Sequence, residues 1–213
     1  MTMRALRIPL LVLVSVIALA APSKGAAQQP KMDIKLFAGG SGTTYVSMLE
    51  TGRERETFAG WQVGFGARVH RRKWFLEVLF SFNRWAFAGS SQVDDLAIRL
   101  RGRVNSFELP FHGGFIPYQN AYFKLFLYAG YVNHFNTKIL ATLEESGFPD
   151  VSVKLRPKEI DLAIYQALAR FGINFDLAMF NFDFNYSISM NSATSTSYRT
   201  GYHQLQFNVA YLF

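Results

Sequence analysis

The 213-residue chain contains no cysteine. It therefore needs no disulfide bond, and the lipid-modified cysteine that anchors a bacterial lipoprotein is excluded. Beyond residue 30, no segment has 18 consecutive apolar residues, so the sequence offers no transmembrane helix there. If the protein resides in a membrane, it has to cross that membrane with strands.

Strong charge of one sign is also lacking. The formal net charge of +7 falls to +4 without Arg4, Arg7 and Lys24, the three charged residues among the first 27. A charge this small does not indicate a nucleic-acid partner. Metal-ligand spacings are absent, and the glycine-rich segment 39–42 is not followed by the Lys-Ser or Lys-Thr of a phosphate-binding loop. We therefore predict no metal site, no cofactor and no nucleic-acid partner.

The N-terminal segment has the organisation of a secretory signal peptide. A basic start at Arg4 and Arg7 is followed by a mostly apolar run over 8–21 and then by small residues that suit cleavage. The apolar run is shorter than the roughly 20 residues of a membrane-spanning helix. We therefore expect a cleaved signal peptide over 1–27 and an exported domain over 28–213.

What the sequence does have is alternation of apolar and polar residues. The stretch FNFDFNYSISM, residues 180–190, carries an aromatic or aliphatic side chain at every second position, with polar residues between them. This pattern is typical of a strand with one apolar and one polar face. The same pattern predicts eight strands in the chain, at 32–46, 60–70, 74–87, 101–116, 121–138, 163–177, 180–190 and 202–213.

The segments between these strands alternate in length. Four are long and polar: 47–59, 88–100, 139–162 and 191–201. Three are tight: 71–73, 117–120 and 178–179. Such alternation is typical of an up-and-down transmembrane barrel with long outer loops, short periplasmic turns and both termini in the periplasm. The sequence therefore predicts an all-β, eight-stranded antiparallel barrel in the bacterial outer membrane, and leaves the role of the longest loop open.

The two faces of the predicted strands differ in composition. On the apolar face, Trp61 and Trp74 open successive strands and so should lie at opposite interfaces; with Tyr211 and Phe213 they would form an aromatic membrane girdle. The other face carries acids and bases in nearly equal number, and an eight-stranded barrel leaves little room for water. We expect a filled lumen with a charge network formed by Asp33, Lys35, Arg68, Glu77, Glu108, Lys124, Arg170, Asp176 and Asp183.

The segment FELPFHGGFIPYQNAYFKLFLYAGYVNHF, residues 107–135, resembles the Bacteroidetes-type outer-membrane barrel family often called PorT-like. Its ELP at 108–110 matches the family's proline-containing strand, and LYAG at 127–130 matches the following strand, with Tyr131 where proline is frequent. The resemblance extends through 171–190 and the terminal FNVAYLF. It implies an eight-stranded barrel inserted by the outer-membrane assembly machinery, and it implies no single activity.

Three functions are compatible with this pattern. The main hypothesis is a non-enzymatic outer-membrane barrel that acts through its outer loops or lumen in adhesion, envelope integrity or support of a secretion complex. A second is a lipid-modifying hydrolase using Ser106 and His134, although neither lies in a nucleophile motif and we favour an inward structural histidine. A third is a narrow conduit for small apolar molecules, with local space at four inward glycines: Gly64, Gly66, Gly130 and Gly172.

Three arginines near the outer end of the fourth predicted strand are candidates for contact with the membrane surface. Arg99, Arg101 and Arg103 could meet the phosphates of lipopolysaccharide as bidentate donors, or form a solvated charge run. The expected partners are thus outer-membrane lipid and the assembly machinery, with lipopolysaccharide as a candidate. The sequence indicates no oligomeric state.

Overall fold

A computed structural model describes residues 31–49, 52–93, 96–145, 151–160, 162–192 and 200–213. A short 3-10 helix, Pro157–Ile160, is present, and no helix in these residues is long and apolar enough to cross a membrane. The strands are β1 (Lys31–Leu49), β2 (Gly52–Arg71), β3 (Trp74–Val93), β4 (Leu96–Gln119), β5 (Phe123–Glu145), β6 (Val151–Leu155), β7 (Tyr165–Leu177), β8 (Phe180–Ser189) and β9 (Thr200–Leu212).

The strands form a closed antiparallel barrel. Consecutive strands pair from β1 to β5 and from β7 to β9, and β9 pairs with β1 to close the sheet. β5 pairs with β7 through residues 123–135 and with the short β6 through residues 139–143. Since β6 and β7 lie end to end along the same edge of β5, the barrel has eight strand positions. The predicted eight-stranded antiparallel barrel is confirmed.

The register of the strands fixes their tilt. A row of directly paired residues that starts at Ile34 runs once round the barrel and returns to β1 at Thr44, a shear of ten residues. With eight strands ~4.8 Å apart and a rise of ~3.3 Å per residue, this shear corresponds to a tilt of about 41°. Each residue along a strand therefore advances ~2.5 Å along the barrel axis.

The strands extend further than predicted at one end of the barrel. β1 and β2 stay paired as far as Leu49↔Gly52, and β3 and β4 stay paired as far as Val93↔Leu96. Most residues of the two segments predicted as long loops, 47–59 and 88–100, are therefore in strands. The backbone ladder continues there because antiparallel pairing needs only main-chain groups, whereas the prediction followed apolar alternation. We call this the hairpin end.

The opposite end, the turn end, holds the tight connections. Arg72 and Ala178 begin two-residue turns and have positive φ angles of 54° and 53°, as hairpin turns that follow the sheet twist require. In the third turn, Asn120 Oδ1 accepts hydrogen bonds from the backbone N–H groups of Tyr122 and Phe123 at 2.9 and 2.7 Å. The chain also enters β1 and leaves β9 at this end, where Phe213 pairs with Ile34.

Side chains alternate between the lumen and the outer surface with the predicted parity. In the described part of the barrel, large apolar side chains are exposed on the outer surface, where they form a belt. Members include Met32, Ile34, Leu36, Val63, Phe65, Phe80, Phe107, Phe115, Phe171, Ile173, Phe184, Phe207 and Val209. The apolar face thus lies outside and the polar face inside, the reverse of the usual arrangement in water.

Candidate functional site

Glu108 is the centre of one buried polar cluster in the lumen. Arg170 Nη2 donates to its Oε2 at 2.7 Å, and His134 Nδ1 lies 3.0 Å from its Oε1. Arg170 Nε also donates to Ser187 Oγ at 2.7 Å, while His134 Nε2 lies 3.0 Å from Asn136 Oδ1. All five side chains are buried. The carboxylate is thus compensated within the barrel, as a buried charge requires.

Glu77 organises a second cluster closer to the turn end. Lys35 Nζ donates to its Oε1 at 2.8 Å, and His112 Nδ1 lies 3.1 Å from its Oε2. The imidazole of His112 stacks on Tyr128 with centroids 4.4 Å apart, and the Tyr128 hydroxyl donates to Asp183 Oδ1 at 2.7 Å. Asp183 is therefore held by a neutral donor and linked to Glu77 through two stacked rings.

Arg68 connects the remaining predicted charges. Its Nη2 lies 2.7 Å from Asp176 Oδ2 and 3.3 Å from Asp33 Oδ2, and its guanidinium carbon lies 4.1 Å from the centre of the Phe126 ring. Lys124 is half-buried on β5, directly opposite Asp176. The nine charges predicted for the lumen thus lie in three clusters, centred on Glu108, Glu77 and Arg68.

Large apolar side chains fill the space between these clusters, which the sequence reading missed. Phe75 packs edge-on against Phe126 with centroids 5.1 Å apart. Both lie between outward apolar residues of β3 and β5, so the two faces of these strands do not differ in polarity there. The buried apolar set comprises Phe37, Phe75, Leu79, Trp85, Val104, Ile116, Phe126, Tyr128, Val132, Ile139, Leu162, Leu168, Tyr202 and Ala210.

The four inward glycines are each covered by a large side chain directly opposite. A methyl group at Gly64 would lie 2.5 Å from Phe37 Cζ, and one at Gly130 would lie 2.5 Å from His112 Cδ2. The other two pairs are Gly66 with Leu79 and Gly172 with Tyr128. The local space expected for a conduit is therefore occupied at these positions.

Ser106 and His134 do not form a hydrolytic pair. Both are fully buried in the lumen. The two ring nitrogens of His134 already contact Glu108 and Asn136, and Ser106 Oγ has no hydrogen-bond partner among the described residues. The arrangement lacks the nucleophile–base hydrogen bond on which acyl hydrolysis depends.

The aromatic residues predicted as a girdle lie near the two edges of the apolar belt. Trp74, Tyr211 and Phe213 are exposed at the turn end. Trp61 lies opposite Arg84, ten residues along β3 from Trp74. The strand rise and tilt place the two indoles roughly 22 Å apart along the barrel axis.

A basic cavity opens on the outer wall at the hairpin end. It has a volume of about 610 Å³ and is lined by β3, β4, β5, β6 and the 3-10 helix. A second hollow of about 290 Å³, next to Trp61, shares Arg84 and Arg103 with it. We call the two together the basic cavity. The described lining residues include no carboxylate and six cations: Arg84, Arg103, Lys138, Lys154, Arg156 and Lys158.

Sequence reasoning singled out Arg103 but missed the residues around it. Lys138 and Lys154 come from β5 and β6, and only the strand register brings them beside β4. The available signal was Arg84, a charge on the otherwise apolar face of β3. The side chains of two other predicted residues lie outside those that the structure describes: Arg99 and Arg101.

No protein-family model matches the chain, so the resemblance to the PorT-like family stays a prediction. No curated protein is similar to it at a significant level.

Among solved structures, the chain is similar to small outer-membrane barrels. Ail, the attachment invasion locus protein of Yersinia pestis, solved in complex with the heparin analogue sucrose octasulfate, is 13% identical, with 86% of this chain and 99% of that chain covered and a TM-score of 0.47. Neisserial surface protein A is 10% identical over 87% and 100%, with a TM-score of 0.41. The N-terminal barrel domain of Pseudomonas aeruginosa OprF is 12% identical over 88% and 99%, with a TM-score of 0.37.

Proposed function

We propose that this chain is an integral barrel of the bacterial outer membrane, with the hairpin end outside and both termini in the periplasm. The exposed apolar belt supports this, because an apolar surface of that extent is unstable in water and is covered by hydrocarbon in a bilayer. The spacing of Trp61 and Trp74 is close to the ~25 Å height of the apolar band in such barrels. Closure leaves the backbone groups of the wall paired, as lipid demands.

The filled lumen is the observation on which the functional proposal depends. The clusters around Glu108, Glu77 and Arg68, together with the apolar side chains between them, occupy the interior. We expect a barrel packed in this way to have no continuous water-filled path. Two of its buried histidines, His112 and His134, contact the carboxylates of Glu77 and Glu108. We therefore propose a non-enzymatic protein that acts through its outer surface and hairpins, in adhesion, envelope integrity or support of a secretion complex.

Membership of the PorT-like family is part of the same proposal. It carries the expectation that the outer-membrane assembly machinery inserts the chain. Depletion of that machinery in cells should leave the protein unfolded in the periplasm and degraded, while the signal peptide is still removed.

Four measurements test the proposal. The protein should remain in membranes after carbonate extraction and should migrate faster on gels when it is not boiled, because a closed barrel resists detergent. Recovery as a soluble periplasmic monomer would contradict it. In planar bilayers the protein should produce no steps of conductance, and lipid A from expressing cells should have an unchanged mass spectrum; a stable conductance would favour the conduit, and a lost acyl chain the hydrolase.

A further inference from the structure

We infer that the basic cavity binds the phosphate groups of a phosphorylated glycolipid in the leaflet at the hairpin end. This inference rests on the proposed function, since it requires the apolar belt to lie in a bilayer. It assigns a ligand class to a specific part of the outer wall, from β3 to the 3-10 helix.

The cavity lies where the head groups of a leaflet would be. Cross-strand partners form successive rows on the outer wall. The first row is aromatic: Phe82, Phe107 and Phe135. The next row towards the hairpin end is Arg84, Asn105 and Lys138, and the row after that contains Arg103, Leu140 and Lys154. Each row is ~5 Å further along the barrel axis, so cations directly follow the aromatic edge of the belt.

The charge of the cavity calls for an anion. Within the described part of the chain, Arg103, Lys138 and Lys154 form no salt bridge, and Arg84 Nε is buried without a hydrogen-bond partner. The positive charges that line one cavity repel one another. A bound phosphate would replace this repulsion with attraction between each cation and the anion. Arginine presents paired N–H donors that match phosphate oxygens, and lysine adds compact positive charge.

The width of the cavity favours a head group larger than a single phosphate. Arg84 and Lys138 are two strands apart in one row, as are Arg103 and Lys154 in the next, which separates their backbones by ~10 Å. Apolar side chains of Leu140, Leu155 and Ile164 line the same cavity. A sugar backbone that carries two phosphates and is anchored by acyl chains along the belt fits both the spacing and the lining.

The test compares a triple variant with a control of identical composition. Arg103→Gln, Lys138→Gln and Lys154→Gln together remove one arginine and two lysines from the cavity. Arg71→Gln, Lys31→Gln and Lys73→Gln remove the same residue types from exposed positions at the turn end. Each protein is reconstituted in nanodiscs, and its binding of bisphosphorylated lipid A, dephosphorylated lipid A or phosphatidylglycerol is measured, with inorganic phosphate as a free competitor.

Bisphosphorylated lipid A should bind the wild type and the control variant equally. It should bind the cavity variant about 1,000-fold more weakly, since each of the three lost charged hydrogen bonds to phosphate weakens binding roughly tenfold. Dephosphorylated lipid A should bind all three proteins equally weakly. Three results would overturn the inference. They are an equal loss of lipid A affinity in the two variants, an affinity for phosphatidylglycerol equal to that for bisphosphorylated lipid A, and displacement of lipid A by an equal concentration of inorganic phosphate.

Heat-modifiable migration of every variant separates the two proposals. A variant that migrates as a folded barrel but binds lipid A like the wild type overturns only the glycolipid site. A wild-type chain that never enters membranes overturns the proposed function itself.

Discussion

Neighbouring residues of β8 lie in opposite environments. Phe184 is 49% exposed on the outer wall, where its ring lies 4.6 Å from that of Phe207. Asn185 is buried in the lumen and donates to Asp183 Oδ2 at 2.8 Å. Phe184 contacts an apolar ring, an interaction that tolerates small displacements. Asn185 donates to a carboxylate oxygen, and that hydrogen bond depends on the position of the acceptor.

The difference shows that the two surfaces tolerate different changes. In the proposed bilayer setting, the outer wall requires apolar side chains but accepts many side-chain shapes, because lipid chains adapt to them. The charged groups of the lumen require particular partners at particular distances, because a buried charge that loses its partner has no solvation to replace it. Four substitutions test this contrast, from the largest expected effect to the smallest.

Replacement of Glu108 by alanine should be the most destabilising. It leaves Arg170 buried without its carboxylate and His134 without one of its two partners. Loss of one partner from a buried ion pair typically costs about 3–5 kcal/mol. Urea unfolding in lipid vesicles, followed by heat-modifiable migration, measures the change, and Glu108→Gln should cost less because it retains a hydrogen-bonding amide. Equal stability of Glu108→Ala and wild type would mean that the lumen is hydrated.

Phe184→Arg should cause the second-largest loss of stability. By strand register, Phe184 lies close to midway between the levels of Trp61 and Trp74, where an exposed arginine costs about 2–4 kcal/mol. Phe184→Leu, which keeps the apolar character, should change stability little. If arginine and leucine at this position had the same effect on unfolding, the outer wall would not face hydrocarbon.

Gly172→Ala should cost about 1–3 kcal/mol through overpacking. The added methyl group would collide with the Tyr128 ring, which cannot easily move because it is hydrogen-bonded to Asp183 and stacked on His112. Gly42→Ala is the matched control, since no described atom lies within 4 Å of a methyl group there. Similar unfolding midpoints for the two variants would show that Tyr128 does not fill the lumen as described.

Asn185→Ala should have the smallest effect, about 1 kcal/mol for a single hydrogen bond. Asp183 keeps its hydrogen bonds from Tyr128 and Asn208, at 2.7 and 3.3 Å, so the carboxylate is not left alone. The variant should still migrate as a folded barrel at room temperature. A loss as large as that of Glu108→Ala would mean that the lumen clusters behave as one cooperative unit.

The parity of the strands was predictable from the sequence because a strand with one apolar and one polar face alternates strictly. On β9, for example, Phe207 and Val209 face outwards and Gln206 and Asn208 face inwards, as the sequence predicts. The pairing inside the lumen was not predictable. Arg68 contacts Asp176 across 108 positions of sequence, a contact that depends on shear and tilt, which alternation does not encode.

The strand ends and the basic cavity were missed for related reasons. Apolar alternation marks the apolar belt, so it fades where the barrel wall extends beyond the belt, although the β1–β2 ladder continues to Leu49. The cavity forms where Lys138 and Lys154, distant from Arg103 in sequence, align across the sheet. Its location depends on cross-strand register and on the bulge between Asn105 and Ser106, which no local pattern reveals.

The seam between β1 and β9 has a consequence for the folding rate. It joins residues as far apart as Lys35 and Leu212, so the sequence separation between the two closing strands is close to the maximum that this domain allows. Bringing together such distant segments carries a large entropic cost of loop closure, and topologies of this kind fold slowly. Until the seam forms, both of its edges and the whole apolar belt are exposed at once. The chain therefore has to be kept unfolded and protected from aggregation for longer than a helical protein of the same length.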